Sequence, residues 1–311
     1  MPDAVVRYRS VVADSARWKG FPFRDGDIVI STPSKCGTTW TQMICALLVF
    51  QTPDFAAPLA EISPWLDMLT TDRDDLVAAL EAQPHRRFIK THTPLDGLPF
   101  DHRVTYVCVG RDPRDAGFSW SNHLANMDLN ALFAARRNAV GLADLDELPP
   151  GGPQEIPPTE IERFWEWVDN PAPASESSAN LAGLVHHIRT FWPATASSSN
   201  LVLLHYDDLQ ADLEGQMRQL GRRLCIDVPE PRWPQLVAAA RFGEMRRRAD
   251  QLVPNRGENL WRDNTEFFHR GTSGQWRARL SGDDLRRYHQ RIAELGDPEV
   301  AGWLHRDPAA N

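Results

Sequence analysis

Lys35, Gly37, Thr38 and Thr39 fall within one short stretch, Ser31-Thr-Pro-Ser-Lys-Cys-Gly-Thr-Thr-Trp40, and their types suit the binding of an anion. Lysine brings a positive charge, the threonines bring hydroxyl donors, and glycine lets a ligand approach the backbone closely. Before the stretch runs Asp27-Ile-Val-Ile30, a buried-strand pattern; after it, Trp40, Met43, Ile44, Leu47 and Leu48 recur at helical spacing. A helix that starts there leaves its first backbone N–H groups without internal partners, and its dipole adds roughly half a positive charge. Phosphate or sulfate is the kind of anion such a corner holds. An ordinary strand-to-helix turn, with threonine caps and a solvated lysine, is the other reading of the same residues.

Lys90 and His92 form a second group. Arg87-Phe-Ile-Lys90 reads as a strand closed by Pro94, so both side chains stand at its carboxyl end, where open parallel sheets bind their ligands. Alternation along an extended segment lets the two converge. A lone histidine at a strand end is otherwise a surface residue or a satisfied core residue. A third strand, Val104 to Val109, leads into Gly110-Arg-Asp-Pro-Arg-Asp115. Asp112 as cap, Pro113 in the first helical position and Asp115 in the first turn predict a helix start. Arg111 stands just ahead of that helix and Ser119 lies inside it; a simple Arg111–Asp115 pair is the structural alternative.

The elements that must position these groups alternate between strand and helix, which predicts an α/β fold of three layers, helices on both faces of a mostly parallel sheet. Residues 53–70 read as a loop that exposes Trp65. Asp72 to Ala82 reads as a helix with Leu76, Ala79 and Leu80 on its inner face. From Asn122 to Pro158 order is lost, Leu148-Pro-Pro-Gly-Gly-Pro153 being incompatible with helix or central strand. A helix over Thr159 to Val168 and a Pro/Ser-rich linker over 171–180 follow. Leu181 to Trp192 (helix), Asn200 to Leu204 (strand), Leu213 to Leu224 (helix), one long helix from Trp233 to Asp250 and a last one from Asp283 to Leu295 complete the series.

A chain of 311 residues with 42% apolar content buries about three quarters of its unfolded surface. One domain over residues 1–311, with its core at about 20–295, is the expectation. Net charge is 34 − 42 = −8, unlike a nucleic-acid binder, which needs a broad basic face. Cys36, Cys45, Cys108 and Cys225 form no C-x-x-C pair and read as reduced thiols. Neither a signal-peptide core nor a membrane-spanning run is visible, so a cytoplasmic protein is expected.

The stretch at Lys35, Gly37, Thr38, Thr39 and Trp40 resembles the 5′-phosphosulfate loop of the cytosolic sulfotransferases, T-Y-P-K-S-G-T-T-W, with Pro33-Ser34 in place of Tyr-Pro and Cys36 in place of Ser. Lys90-Thr-His-Thr-Pro-Leu-Asp-Gly-Leu-Pro99 is similar to the segment with the family's catalytic histidine. Tyr106-Val-Cys-Val-Gly-Arg-Asp-Pro-Arg-Asp-Ala116 with Ser119 is similar to its 3′-phosphate motif. His205-Tyr206-Asp207-Asp208 resembles L-x-Y-E-D, Arg241-Phe242-Gly-Glu-Met245 resembles T-S-F-x-x-M, and Phe267 to Trp276 resembles F-x-R-K-G-x-x-G-D-W. These likenesses span about residues 20–290, and the bacterial glycolipid-sulfotransferase branch is the nearest in overall character.

The resemblance implies transfer of a sulfonate from 3′-phosphoadenosine 5′-phosphosulfate to a hydroxyl or amine of a small molecule or glycolipid, with no metal. It implies His92 as general base and Lys35 and Lys90 as charge-stabilising groups. Lys35, Cys36, Gly37, Thr38, Thr39, Trp40, Arg111, Ser119, Tyr206, Phe242, His269, Arg270 and Gly271 would hold the nucleotide. Ala240 and His269 stand where the family has Thr and Arg. The region 122–180 would roof the acceptor site, with the aromatics near Trp18 to Phe23, Trp65, Trp120 and Phe164 shaping it. The family's animal dimer motif is not matched, Arg286 standing where Glu belongs, so oligomeric state stays open. Two rival readings remain at this point: a P-loop kinase or nucleotide hydrolase, against which Lys35 precedes its glycine, and a degenerate nucleotide-binding homologue, suggested by Cys36, Ala240 and His269.

Overall fold

The structure, a computed structural model, describes residues 5–147, 156–254, 257 and 259–306. Four parallel strands, β1 (Ile28–Ser31), β2 (Phe88–Thr91), β3 (Thr105–Gly110) and β4 (Leu201–His205), form one sheet in the order β2-β1-β3-β4. Val29 pairs with Ile89 and Tyr106, and Val107 with Val202. Every residue of β1 and β2 is buried, as expected of parallel strands covered on both faces. The two-residue period divides the sheet between two cores. Ile28, Ile30, Val107 and Val109 point into one, against the helix Thr38–Phe50; Val29, Ile89, Tyr106 and Cys108 point into the other. The three-layer α/β reading therefore holds.

Because β2 and β3 lie on opposite sides of β1, the chain leaves β1 and β3 in opposite directions at their carboxyl ends. That divergence opens a crevice, and the two anion-type loops of the sequence sit on its two sides.

Four expectations are corrected. The helix Pro113–Asn126 runs past Asn122, and a further helix, Leu129–Val140, follows where disorder was expected. Its cap is Asp128, whose carboxylate accepts from the Ala131 amide, and Leu132 on its inner face is buried. The proline-rich run at 148–153 lies outside the described residues, but 171–180 is free of helix and strand as read. Trp65 sits beside Lys90 rather than on a loop surface, and Ala79 is exposed while Val77 packs inward with Leu76 and Leu80. The long helix from Trp233 breaks at Arg241 (φ −66°, ψ 139°) into Trp233–Ala240 and Phe242–Arg247. The break leaves the Ala240 carbonyl free to accept from the Trp40 indole at 2.8 Å, a tertiary contact that no local pattern announces. A final helix, Pro298–His305, follows Gly282–Glu294, which is capped by a Ser281–Asp284 box.

Candidate active site

The loop after β1 folds into a cradle because two of its residues take left-handed backbone, Lys35 at φ 67° and Gly37 at φ 92°. Glycine is required at 37: a Cβ there would lie 3.1 Å from the Tyr206 ring. No side chain caps the helix Thr38–Phe50, so its leading amides remain for an anion. Thr38 is buried and its hydroxyl lies 2.5 Å from that of Thr32; Thr39 and Trp40 are half-buried, and Cys36 is buried beneath the turn.

Arg111, at the end of β3, reaches across the crevice. Its guanidinium donates to the Lys35 carbonyl at 3.0 Å and the Thr272 carbonyl at 3.1 Å, and lies 4.2 Å from the Tyr206 ring centre. Its Nε is buried with no partner, an orphan donor of the kind a phosphate oxygen satisfies. The Arg111–Asp115 pairing is not what forms. Asp115 instead accepts from the Gly274 amide at 2.6 Å and the Gln275 amide at 2.8 Å, tying the 271–276 loop to this corner. Ser119 is half-buried two turns further along the helix, and among the described residues no hydrogen bond links it to Arg111.

Trp40 and Tyr206 meet edge to face at 5.2 Å, and Phe242 packs on Gly271 so closely that a Cβ there would come within 2.1 Å of its ring. Trp40, Tyr206, Phe242 and Gly271 thus make one wall beside the cradle. His269 turns to Glu266 at 3.1 Å, and Arg270 is exposed.

On the other side of the cradle, Nδ1 of His92 donates to the Thr32 carbonyl at 2.7 Å, since a carbonyl can only accept. The proton is thereby fixed on Nδ1 and the Nε2 lone pair is left free. Burial first, then Lys90, holds this imidazole well below the ordinary histidine range. Lys90 Nζ lies 4.4 Å from the Trp65 ring, and Trp65 meets His92 edge to face at 4.8 Å. Burial lowers Lys90 to about 8, with Asp67 opposing, and lowers Lys35 to about 7, with Arg111 and Lys90 adding to the effect.

Two residues of this centre escaped the sequence reading. Asp67 is buried and accepts from the hydroxyls of Thr91 (2.7 Å) and Thr93 (2.5 Å), which flank His92. His123 lies 3.1 Å from Lys35 Nζ. Its position one turn beyond Ser119 is a signal that same-face spacing on the helix could have given. Of the aromatics expected near the acceptor, Trp65 and Trp120 are at the centre, Trp120 lying 5.5 Å from His123. Trp18 and Phe164 are core residues instead, 1% and 0% exposed. Their place is taken by Trp261 and Phe267 and by the small apolar cluster of Met68, Leu132 and Leu260.

A family model described as a sulfotransferase domain matches residues 25–298. The chain belongs to the sulfotransferase family. This sulfotransferase is 40% identical to a glycolipid sulfotransferase of Mycobacterium bovis, over 99% of its own length and 98% of the relative's, and equally to one of Mycobacterium tuberculosis. Mouse sulfotransferase 2B1 is 24% identical, with 84% of this chain and 74% of that one covered. Two solved structures share the fold at a TM-score of 0.65: retinol dehydratase with androsterone and PAP (19% identity, 90% and 83% covered), and mouse SULT7A1 with PAP (16% identity, 94% and 91%). The kinase and hydrolase readings gain no support from these relatives. Among the described residues no helix is long and apolar enough to cross a membrane.

Proposed function

We propose that this sulfotransferase moves the sulfonate of 3′-phosphoadenosine 5′-phosphosulfate onto a hydroxyl of a glycolipid or other lipid-like alcohol in the cytoplasm, releasing adenosine 3′,5′-bisphosphate. One observation carries the reading. The Lys35 cradle, Arg111 and His92 follow the carboxyl ends of the neighbouring strands β1, β3 and β2, and Arg111 and His92 each donate to a backbone carbonyl of the β1 loop, Lys35 and Thr32 respectively.

In this account the cradle amides, Lys35 and the Thr38 and Thr39 hydroxyls hold the 5′-phosphate. Arg111, with Ser119 reaching from the helix that follows it, takes the 3′-phosphate. Trp40, Tyr206 and Phe242 flank the adenosine. His92 Nε2 removes the acceptor proton as the oxygen attacks sulfur in line with the departing phosphate oxygen. Lys35 stabilises the charge gathering on that oxygen and Lys90 the sulfonate oxygens, so two fixed cations supply what a metal supplies in kinases. The Trp65, Trp261 and Met68–Leu132–Leu260 surfaces suit an apolar acceptor. The mycobacterial relatives support a glycolipid within that class, and the buried free thiols support a reducing compartment. Labelled donor incubated with a lipid extract, with and without a chelator, tests the reading. Label in a glycolipid fraction, unaffected by chelation, is expected; label in no alcohol would refute it.

The rate should also depend on pH in a defined way. In kcat/KM, which reports the free enzyme, Lys35 and Lys90 must be protonated and His92 neutral. The rate is therefore lost as pH rises through about 7 for Lys35 and about 8 for Lys90. The acid limb falls below the ordinary histidine value of 6.5, because burial and Lys90 keep His92 neutral there. Donor anions raise the lysine values, so the alkaline limb of kcat lies at higher pH than that of kcat/KM. Stopped-assay profiles check the separation of the two limbs.

A further inference from the structure

His123 is a half-buried imidazole at the reaction centre to which the mechanism above gives no task. Its Nδ1 lies 3.1 Å from the Lys35 ammonium, which also rests 5.2 Å from the Phe267 ring centre. The imidazole is packed 4.6 Å from Trp261, 5.5 Å from Trp120 and 5.7 Å from Phe267. The charged and titratable groups facing the pair come from three elements: Arg111 from the end of β3, Lys90 and His92 from the end of β2, and Cys36 from the cradle itself. The aromatic shell and the neighbouring lysines both disfavour a protonated His123, whose value falls well below the usual one. A neutral ring facing an ammonium accepts at the facing nitrogen, which places its own proton on Nε2.

We infer that His123 is a positioning residue for sulfonate transfer: its Nδ1 accepts a hydrogen bond from the Lys35 ammonium and fixes that charge at the mouth of the cradle. The inference rests on the role given to Lys35 above. A lysine stem is flexible, and a point charge contributes to the transition state only while it is held where charge develops. Glycine-type backbone at Lys35 sets the direction of the stem, and His123 with Phe267 sets where it ends.

Two variants of the full chain separate this role from packing. His123→Phe fills the ring's place among Trp261 and Phe267 but offers no acceptor; His123→Asn keeps an acceptor. The first readout is the pH midpoint for acylation of Lys35 by acetic anhydride, followed by mass spectrometry in the absence of any ligand. His123→Phe should lower that midpoint by about half a unit or more, because an acceptor favours the charged amine, and Asn should restore most of it. The second readout is turnover with octyl glucoside as the alcohol. Loss of a hydrogen bond to a charged group predicts a kcat about ten- to thirty-fold lower in the Phe variant, with donor KM within about threefold. An unchanged Lys35 midpoint and kcat in the Phe variant would overturn the inference, as would an Asn variant no better than Phe. Absence of transfer by the parent enzyme would refute the proposed reaction instead, while the Lys35 midpoint still decides the contact.

Discussion

Replacing His92 by alanine is expected to lower kcat by about 10²–10⁴-fold while leaving adenosine 3′,5′-bisphosphate binding within a few-fold of the parent. The magnitude is that of a positioned general base. The selectivity follows from the geometry. His92 is held through Nδ1 on the Thr32 carbonyl and packs against Trp65, whereas the Arg111 contacts and the Trp40–Tyr206 pair are made without it. Glutamine at the same position can keep the Thr32 contact but cannot take a proton, so it should be as inactive as alanine. Single-turnover rates with preloaded donor, set beside a calorimetric isotherm for the bisphosphate, measure the two quantities separately. Full turnover in either variant would remove His92 from the chemistry.

Arg111→Ala is expected to weaken bisphosphate binding by about 10²-fold, because on the proposed reading it removes the buried guanidinium whose orphan Nε donates a charge-assisted bond to the 3′-phosphate. Some of that loss is indirect. The guanidinium also ties the Lys35 carbonyl to the Thr272 carbonyl, so its removal loosens the cradle and the 271–276 loop together. Arg111→Lys retains the charge without the planar fork and should recover only part of the affinity. Isotherms at two salt concentrations, with melting temperatures as a fold control, check this. An alanine variant that binds normally would place the second phosphate elsewhere. His92→Ala should therefore show in turnover and Arg111→Ala in affinity, and the contrast itself tests the division of labour.

Much of the scaffold was legible because its signals are local. The β-branched run before Ser31, the Asp112-Pro113 helix start and the Ser281 cap act through neighbours a few residues away, and each element forms where those neighbours direct it. The helix Leu129–Val140 carries a local signal too, in its Asp128 cap and buried Leu132, but a weak one, since a single buried leucine and one cap stand close to a proline-rich run. The break at Arg241 had no local signal at all. It is accompanied by a contact from far along the chain, the Trp40 indole donating to the Ala240 carbonyl that the break leaves free.

The sequence by itself determined the chemistry available: a lysine-threonine turn at a helix start, an arginine ahead of a second helix, and a histidine two residues from a lysine at a strand end. It also determined the three-layer α/β fold, because strand and helix periods depend on nearest neighbours along the chain. Only the tertiary structure decided how those groups face one another. The β2-β1-β3-β4 order sets the Lys35 and Arg111 loops on one crevice, the Thr32 carbonyl chooses the His92 tautomer, and Asp67 and His123 join the centre from segments that the sequence presents as loop and as irregular chain. Such contacts join residues tens of positions apart, and their energies come from burial and desolvation, which exist only once the chain has closed on itself.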